Sequence, residues 1–329
     1  MRFILVLSAL LVLSACAPVK QADDVAPTVK KSGFMGLSKT KDVEVSGTKA
    51  VQGESRAVVP YFRVAYYTEN NPGGFTGNGG DKVIIKSKLV GVDNEALQRI
   101  TDQAYKNFVA QMKQKGIEVL PASSLKKSVT YQKFKGQTLY KDKALFGPDA
   151  VYVTPSGMKA SDTKITRGLE ISNIMKEMNA SLMDVTLYVT YLSQRVESTL
   201  RVVTGISIGQ TTTVTPGSVM QFYGLESSKC VGYCPNTVAN ARLGQPVYKT
   251  QQVGELRETT TSGDKAGDIA VAALTWLTPG KNAQYNSTNR YELHADSAKY
   301  EKVVTETLKD ATGKLVASLT SGQKKMGLI

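Results

Sequence analysis

The stretch DNEALQRITDQAYKNFVAQMKQKGIEVLP, from Asp93 to Pro121, sets apolar residues at Leu97, Ile100, Ala104, Phe108 and Met112, flanked by Tyr105 and Val109. Spacings of three and four place them on one side of a helix. Asp93 stands where an N-cap accepts hydrogen bonds from the free amides of the first turn. Gly116 supplies the residue that ends such a helix. Ile117 to Leu120 then resumes as a short strand before Pro121. A helix that stops at a glycine and feeds a strand predicts an α/β or α+β fold, a mixed sheet flanked by amphipathic helices.

On the N-terminal side, Val58 to Tyr67 (VVPYFRVAYY) is aromatic and β-branched, the glycine-rich Asn70 to Asp81 follows, and Val83 to Val92 again reads as strand. The expected opening is strand, long hairpin loop, strand. Beyond Pro121, Ala150 to Thr154 predicts a short strand, and Ile171, Ile174, Met175 and Met178 fit the core side of a second helix. Leu182 to Leu192 (LMDVTLYVTYL) and Leu200 to Gln210 (LRVVTGISIGQ) predict an additional β-hairpin region, 182–210, with Ser193 to Thr199 as its turn. Val185, Leu187, Val189 and Tyr191 alternate with Thr186, Tyr188 and Thr190. That alternation suits a sheet covered on one face, and it also suits a strand pooled with other copies in an oligomeric barrel. Val219 to Gly224 and Val247 to Thr261 read as strands. A helix is expected over Asp264 to Leu277, with Ile269, Ala273 and Trp276 on one side. A C-terminal helix, 296–319, follows through Tyr300, Val304, Leu308, Ala311, Leu315 and Leu319.

The chain has 329 residues, 41% hydrophobic and 21% charged, which is a globular composition with apolar material for one large or two modest domains. One histidine and three cysteines argue against zinc enzymes and iron–sulfur proteins. Met1 and Arg2 precede the apolar run Phe3 to Leu13, too short to span a bilayer core and suited to a signal peptide, 1–15. Leu13-Ser14-Ala15-Cys16 looks like a bacterial lipobox, with Cys16 lipidated after cleavage, and Ala17 in the next position implies the outer membrane. Residues 16–56 show no sustained period and read as a flexible tether, leaving 57–329 as a periplasmic domain. With Cys16 given to lipid, Cys230 and Cys234 are expected to form a small disulfide in an oxidising periplasm.

Gly205-Ile206-Ser207-Ile208-Gly209 matches the nucleophile-elbow pattern of hydrolases, and His294 lies downstream of Asp264 and Asp268 in the matching order. An elbow needs a helix after the serine, yet Gln-Thr-Thr-Thr-Val-Thr-Pro follows, so Ser207 is expected on a strand and His294 at a surface or capping position. The glycine cluster at 73–80 lacks both Walker order and a following helix, and it reads as loop. Lys plus Arg number 41 against 28 Asp plus Glu, a formal charge of +13. Lys126, Lys127, Lys133, Lys135, Lys141 and Lys143 are interleaved with Tyr131, Phe134 and Tyr140. For a periplasmic protein this basic run suits anionic lipid headgroups or envelope polymers rather than nucleic acid.

The lipobox, the polar tether and the helix that runs through Gly116 into Ile117-Glu-Val-Leu-Pro121 resemble a loose group of outer-membrane lipoproteins. That group includes the curli secretion-channel lipoprotein and the lipoprotein activators of penicillin-binding proteins. The resemblance covers Val58 to Leu192 and implies a largely non-catalytic periplasmic α/β domain. The chain departs from the curli channel in the basic insertion after Pro121 and in the cysteine loop. The expectation is a scaffold or assembly component of the Gram-negative envelope, bound to the outer membrane through its lipid and to envelope proteins, with no cofactor. The alternatives are an oligomeric secretion channel, a serine hydrolase using Ser207 and His294, and a binding module for an anionic polymer.

Overall fold

In the structure, a computed structural model, residues 19–23, 25–27, 31–32, 38–70, 75–76, 82–142, 150–160, 167–199, 202–229, 237–265 and 286–321 are described. The signal peptide, Cys16, Cys230, Cys234, Lys143, the 73–80 cluster apart from residues 75–76, and all but the first residues of the helix expected over 264–277 lie outside them. The helix read from Asp93 spans Asn94–Gln114 (α1), and Asp93 Oδ1 accepts from Ala96 N at 2.7 Å. Leu97, Ile100, Ala104, Phe108 and Met112 are all buried. Gly116 ends the turn at φ 79°, a left-handed conformation that a side chain would strain. The other helices are α2 (Val129–Gln132), α3 (Arg167–Met178) and α4 (Ser297–Leu319), the last capped by Asp296.

In chain order the principal strands are β1 (Val19–Gln21), β2 (Val43–Ser46), β3 (Arg56–Tyr67), β4 (Lys82–Val90), β5 (Glu118–Val119), β6 (Leu139–Asp142) and β7 (Ala150–Val153). They continue as β8 (Ser181–Thr199), β9 (Val202–Val214), β10 (Val219–Tyr223), β11 (Val238–Leu243), β12 (Val247–Lys249), β13 (Gly254–Glu258) and β14 (Asn286–Ala295). The larger sheet runs β6-β7-β3-β8-β10-β11-β2, with β9 on the distal half of β8 and β1 and β12 on β9. The smaller runs β13-β14-β4. The fold is thus mixed α/β, with no closed barrel among the described residues.

β3 and β8 pair in parallel at the centre of the larger sheet. Phe62 of β3 meets Phe108 of α1 with ring centroids 5.6 Å apart, and the Tyr66 hydroxyl lies 2.9 Å from Thr101 Oγ1. α4 lies beside α1, tied by Arg99 to Glu301 at 2.9 Å and by Gln111 Nε2 donating to Lys309 O at 2.9 Å. The smaller sheet feeds both helices, since β4 leads into α1 and β14, parallel to β4, leads into α4. Two side chains tie the sheets together. Tyr191 OH and Ser87 Oγ are 3.0 Å apart, and the Gln210 amide donates to Gly254 O while accepting from Val253 N and Gly254 N.

Three expectations are corrected. The tether is not free through residue 56: β1 pairs with β9, β2 pairs with β11, and Val25 and Val51 are each 1% exposed. Short edge strands are held mainly by backbone hydrogen bonds, which leave no hydrophobic period in a sequence. The hairpin does not turn at Ser193 to Thr199, because those residues continue β8 in register with β9. A ladder is made by backbone groups, so a charged side chain does not interrupt it. The strands on either side of the glycine-rich segment, β3 and β4, belong to different sheets, and it is the short segments Glu69–Asn70 and Phe75–Thr76, rather than β3, that pair antiparallel with β4.

Phe108→Ala removes a fully buried ring from the contact between α1 and the sheet, and it is expected to destabilise the protein by about 3–5 kcal/mol. The midpoint of urea unfolding measures this.

Candidate functional site

Phe62, Val64 and Tyr66 are buried on the α1 side of β3, so the pleat turns Tyr61, Arg63, Ala65 and Tyr67 to the opposite face. On β8 the same alternation sets Val185, Leu187 and Val189 against Asp184, Thr186 and Tyr188. The parallel register places Arg63 beside Thr186 and Ala65 beside Tyr188. Tyr152 lies on the other flank of Ala65, and Tyr140 lies beside Tyr152. One line across four strands therefore reads Tyr140, Tyr152, Ala65, Tyr188, with Tyr67 and Arg63 on either side of Ala65 along β3.

The geometry on this face is ordered. Arg63 Nε donates to Thr186 Oγ1 at 2.9 Å. The Tyr140 and Tyr152 rings stack at 5.2 Å and 8°, and those of Tyr67 and Tyr188 at 6.2 Å and 17°. All four rings and Arg63 are half-buried. Burial, then the neighbouring phenols Tyr188, Tyr67 and Tyr140, push the Tyr152 hydroxyl up to about 12 against the pull of Arg63. Burial, then Tyr188, raises Tyr67 as well. Closely spaced rings with hydroxyl tips and a held guanidinium present large, rigid, amphipathic area, the kind of surface concentrated at protein contacts. Sequence reasoning missed this face. Its signal was the alternation Tyr61-x-Arg63-x-Ala65-x-Tyr67, whose interleaved Phe62, Val64 and Tyr66 led the whole run to be read simply as strand.

The basic run is divided by the fold. Lys126, Lys127, Lys133, Lys135 and Lys141 are exposed, while Tyr131 and Phe134 are buried. Phe134 packs on Tyr61 at 5.5 Å, and Tyr131 OH accepts from Lys159 N at 2.9 Å. These two aromatics anchor the segment and are not a stacking platform. Ser128 Oγ donates to Glu177 Oε2 and accepts from Tyr131 N, joining α2 to α3. Burial raises the Glu177 carboxyl, but hydrogen bonds from Ser128 and Thr130 outweigh it and leave the group below its ordinary value.

The hydrolase constellation is not assembled. Ser207 lies within β9, which continues as strand to Val214, so no elbow forms. Gly209 is required for a different reason: a side chain there would run into Ala22 O and the Val25 side chain, which cross over it. His294 belongs to β14, where its Nε2 sits 3.1 Å from Glu292 Oε2. Asp264 is held by Arg290 at 2.8 Å and by Thr261, and these contacts keep its carboxyl well below the usual range. Among the described residues no group of three or more His, Cys, Asp or Glu side chains is arranged to hold a metal ion, and no helix is long and apolar enough to cross a membrane. No protein-family model matches the chain, and no curated protein matches it.

Two outcomes follow from this geometry. A fluorophosphonate probe is expected to leave the protein unlabelled, and labelling lost in both Ser207→Ala and His294→Ala would contradict the strand assignment of Ser207. Tyrosines with raised values, Tyr105 and Tyr152 both to about 12, hold the folded state while protonated. Their contribution is complete below the unfolded value of about 10 and is lost as the pH rises through about 12. Circular dichroism should show alkaline unfolding in that window, and absorbance at the phenolate band should show late-titrating tyrosines.

Proposed function

We propose that the protein is an outer-membrane lipoprotein, anchored through acylated Cys16 and serving as a non-catalytic scaffold or assembly component of a Gram-negative envelope. The observation that carries this reading is the run Leu13-Ser14-Ala15-Cys16 at the end of a short apolar stretch, a few residues before β1. Val19, the first residue of β1, is the third residue after Cys16. The first described strand therefore lies just beyond the position at which a lipobox would set the start of the mature chain. The tyrosine and arginine face supports the scaffold role, with Tyr67, Tyr152, Tyr188 and Arg63 as the contact with an envelope protein. A second reading, retention of an anionic envelope polymer, is supported by exposed Lys126, Lys127, Lys133, Lys135 and Lys141.

Labelled palmitate is expected to enter the wild-type protein and not the Cys16→Ser variant, which should accumulate as a soluble or uncleaved form. Recovery of unlabelled wild-type protein from osmotic-shock fluid would defeat the anchor. Tyr188→Ala removes half of a stacked pair, and about tenfold weaker co-purification with a cross-linked envelope partner is expected, as for a central interface residue. Unchanged capture would move the contact elsewhere.

A further inference from the structure

β9 carries two outward cations through its neighbours. Arg195 of β8 and Lys20 of β1 are both in register with Ser207, one on each side. Residues paired directly across a ladder point to the same face, and two inter-strand steps separate Arg195 from Lys20 by about 10 Å. Ile206 and Ile208 are buried on the other side, 1% and 0% exposed, while this face, covered at Gly209 by Ala22 and Val25, is exposed at Lys20 and Arg195. Lys20 and Arg195 are both exposed, and neither makes an ion pair among the described residues.

The direction of β1 ties this face to the anchor. β1 runs parallel to β9, whose first residue, Val202, follows the end of β8 at Thr199, so the N-terminal end of β1 points toward the end of the hairpin arm. Val19 sits beside Ile206, four residues along from Val202. Three residues reach at most about 11 Å, so an acyl chain on Cys16 enters the bilayer within that distance of β1. Among the described side chains of this face, Lys20 and Arg195 supply two positive charges. At physiological ionic strength the screening length is about 8 Å, so these cations act on charged headgroups at this range.

We propose that the outward face of the β1/β9/β8 arm, presenting Lys20 and Arg195 around Ser207, lies on the anionic phospholipid surface of the membrane that holds the anchor. The proposal rests on acylation of Cys16 for its geometry, while the surface itself is a property of the folded arm. Each cation close to such a surface strengthens binding about fivefold. The tyrosine and arginine face does not share these cations and stays available to a protein.

The test uses the protein as cells produce it, mixed with vesicles of phosphatidylglycerol and phosphatidylethanolamine or of phosphatidylcholine alone. A water-soluble amine-acylating reagent is applied, and lysine modification and the acyl state of Cys16 are read by mass spectrometry from one sample. Lys20 is expected to react about fivefold more slowly on the anionic vesicles, with 1 M salt restoring its rate, while Lys309 on α4 is unaffected. Arg195→Gln should cut the protection of Lys20 by a similar factor, with circular dichroism confirming an unchanged fold. Equal reactivity of Lys20 and Lys309 on anionic vesicles, or protection of Lys126 and Lys127 in place of Lys20, overturns the proposal. Protection of Lys20 on a chain whose Cys16 carries no acyl group supports the surface and defeats the anchor. An acylated Cys16 with an unprotected Lys20 does the reverse.

Discussion

The parallel pairing of β3 with β8 is the constraint on which the molecule depends. Ser181 to Val189 take their partners from Ala57 to Tyr66 on one side, and Leu182 to Thr186 take theirs from β10 on the other. With both edges paired over this half, β8 is a central strand. Its distal half leaves β3 behind and continues with β9 as its partner. The register shift between Thr190 and Leu192 lies where the strand makes this change. Because α1 covers Phe62, Val64 and Tyr66, the same pairing fixes which residues remain on the opposite face, and so it creates the tyrosine and arginine surface.

The two ends of β8 thus carry different chemistry. The proximal half contributes Thr186 and Tyr188 to a half-buried aromatic face, where stacked rings lose little conformational freedom on contact with a partner. The distal half contributes Arg195 to a three-stranded ribbon that also holds β1, the first described strand. On the proposed reading, the first meets a protein and the second meets lipid. The lysines of 126–141 stand on a third region, braced to α3 through Ser128 and Glu177 and anchored by Tyr131 and Phe134. Separating the charges from the aromatics is what removes the nucleic-acid-like appearance of that segment.

Much of the fold was legible because it depends on local periodicity. α1 and α4 are long amphipathic helices with aspartate caps, and their buried positions are the ones that spacing selects. The strand from Val58 to Tyr67 and the paired runs at 182–210 were legible through β-branched and aromatic content. The candidate site was legible only in pieces. Tyr67, Tyr140, Tyr152 and Tyr188 stand 73, 12 and 36 residues apart along the chain, and only cross-strand register makes them neighbours.

The sequence by itself determined the helices with their caps, the positions of most strands, the positive charge and the lipobox-like Leu13 to Cys16. All of these follow from neighbours three or four apart on a helix, two apart on a strand, or adjacent in the chain. Only the tertiary structure decided that residues 19–21 and 43–46 join the larger sheet, that β3 and β4 part into different sheets, and that Ser207 lies on a strand between two cations. Those outcomes are set by backbone hydrogen bonds between distant segments. A backbone amide and carbonyl look the same at every residue, so pairing of that kind leaves no mark in the order of side chains.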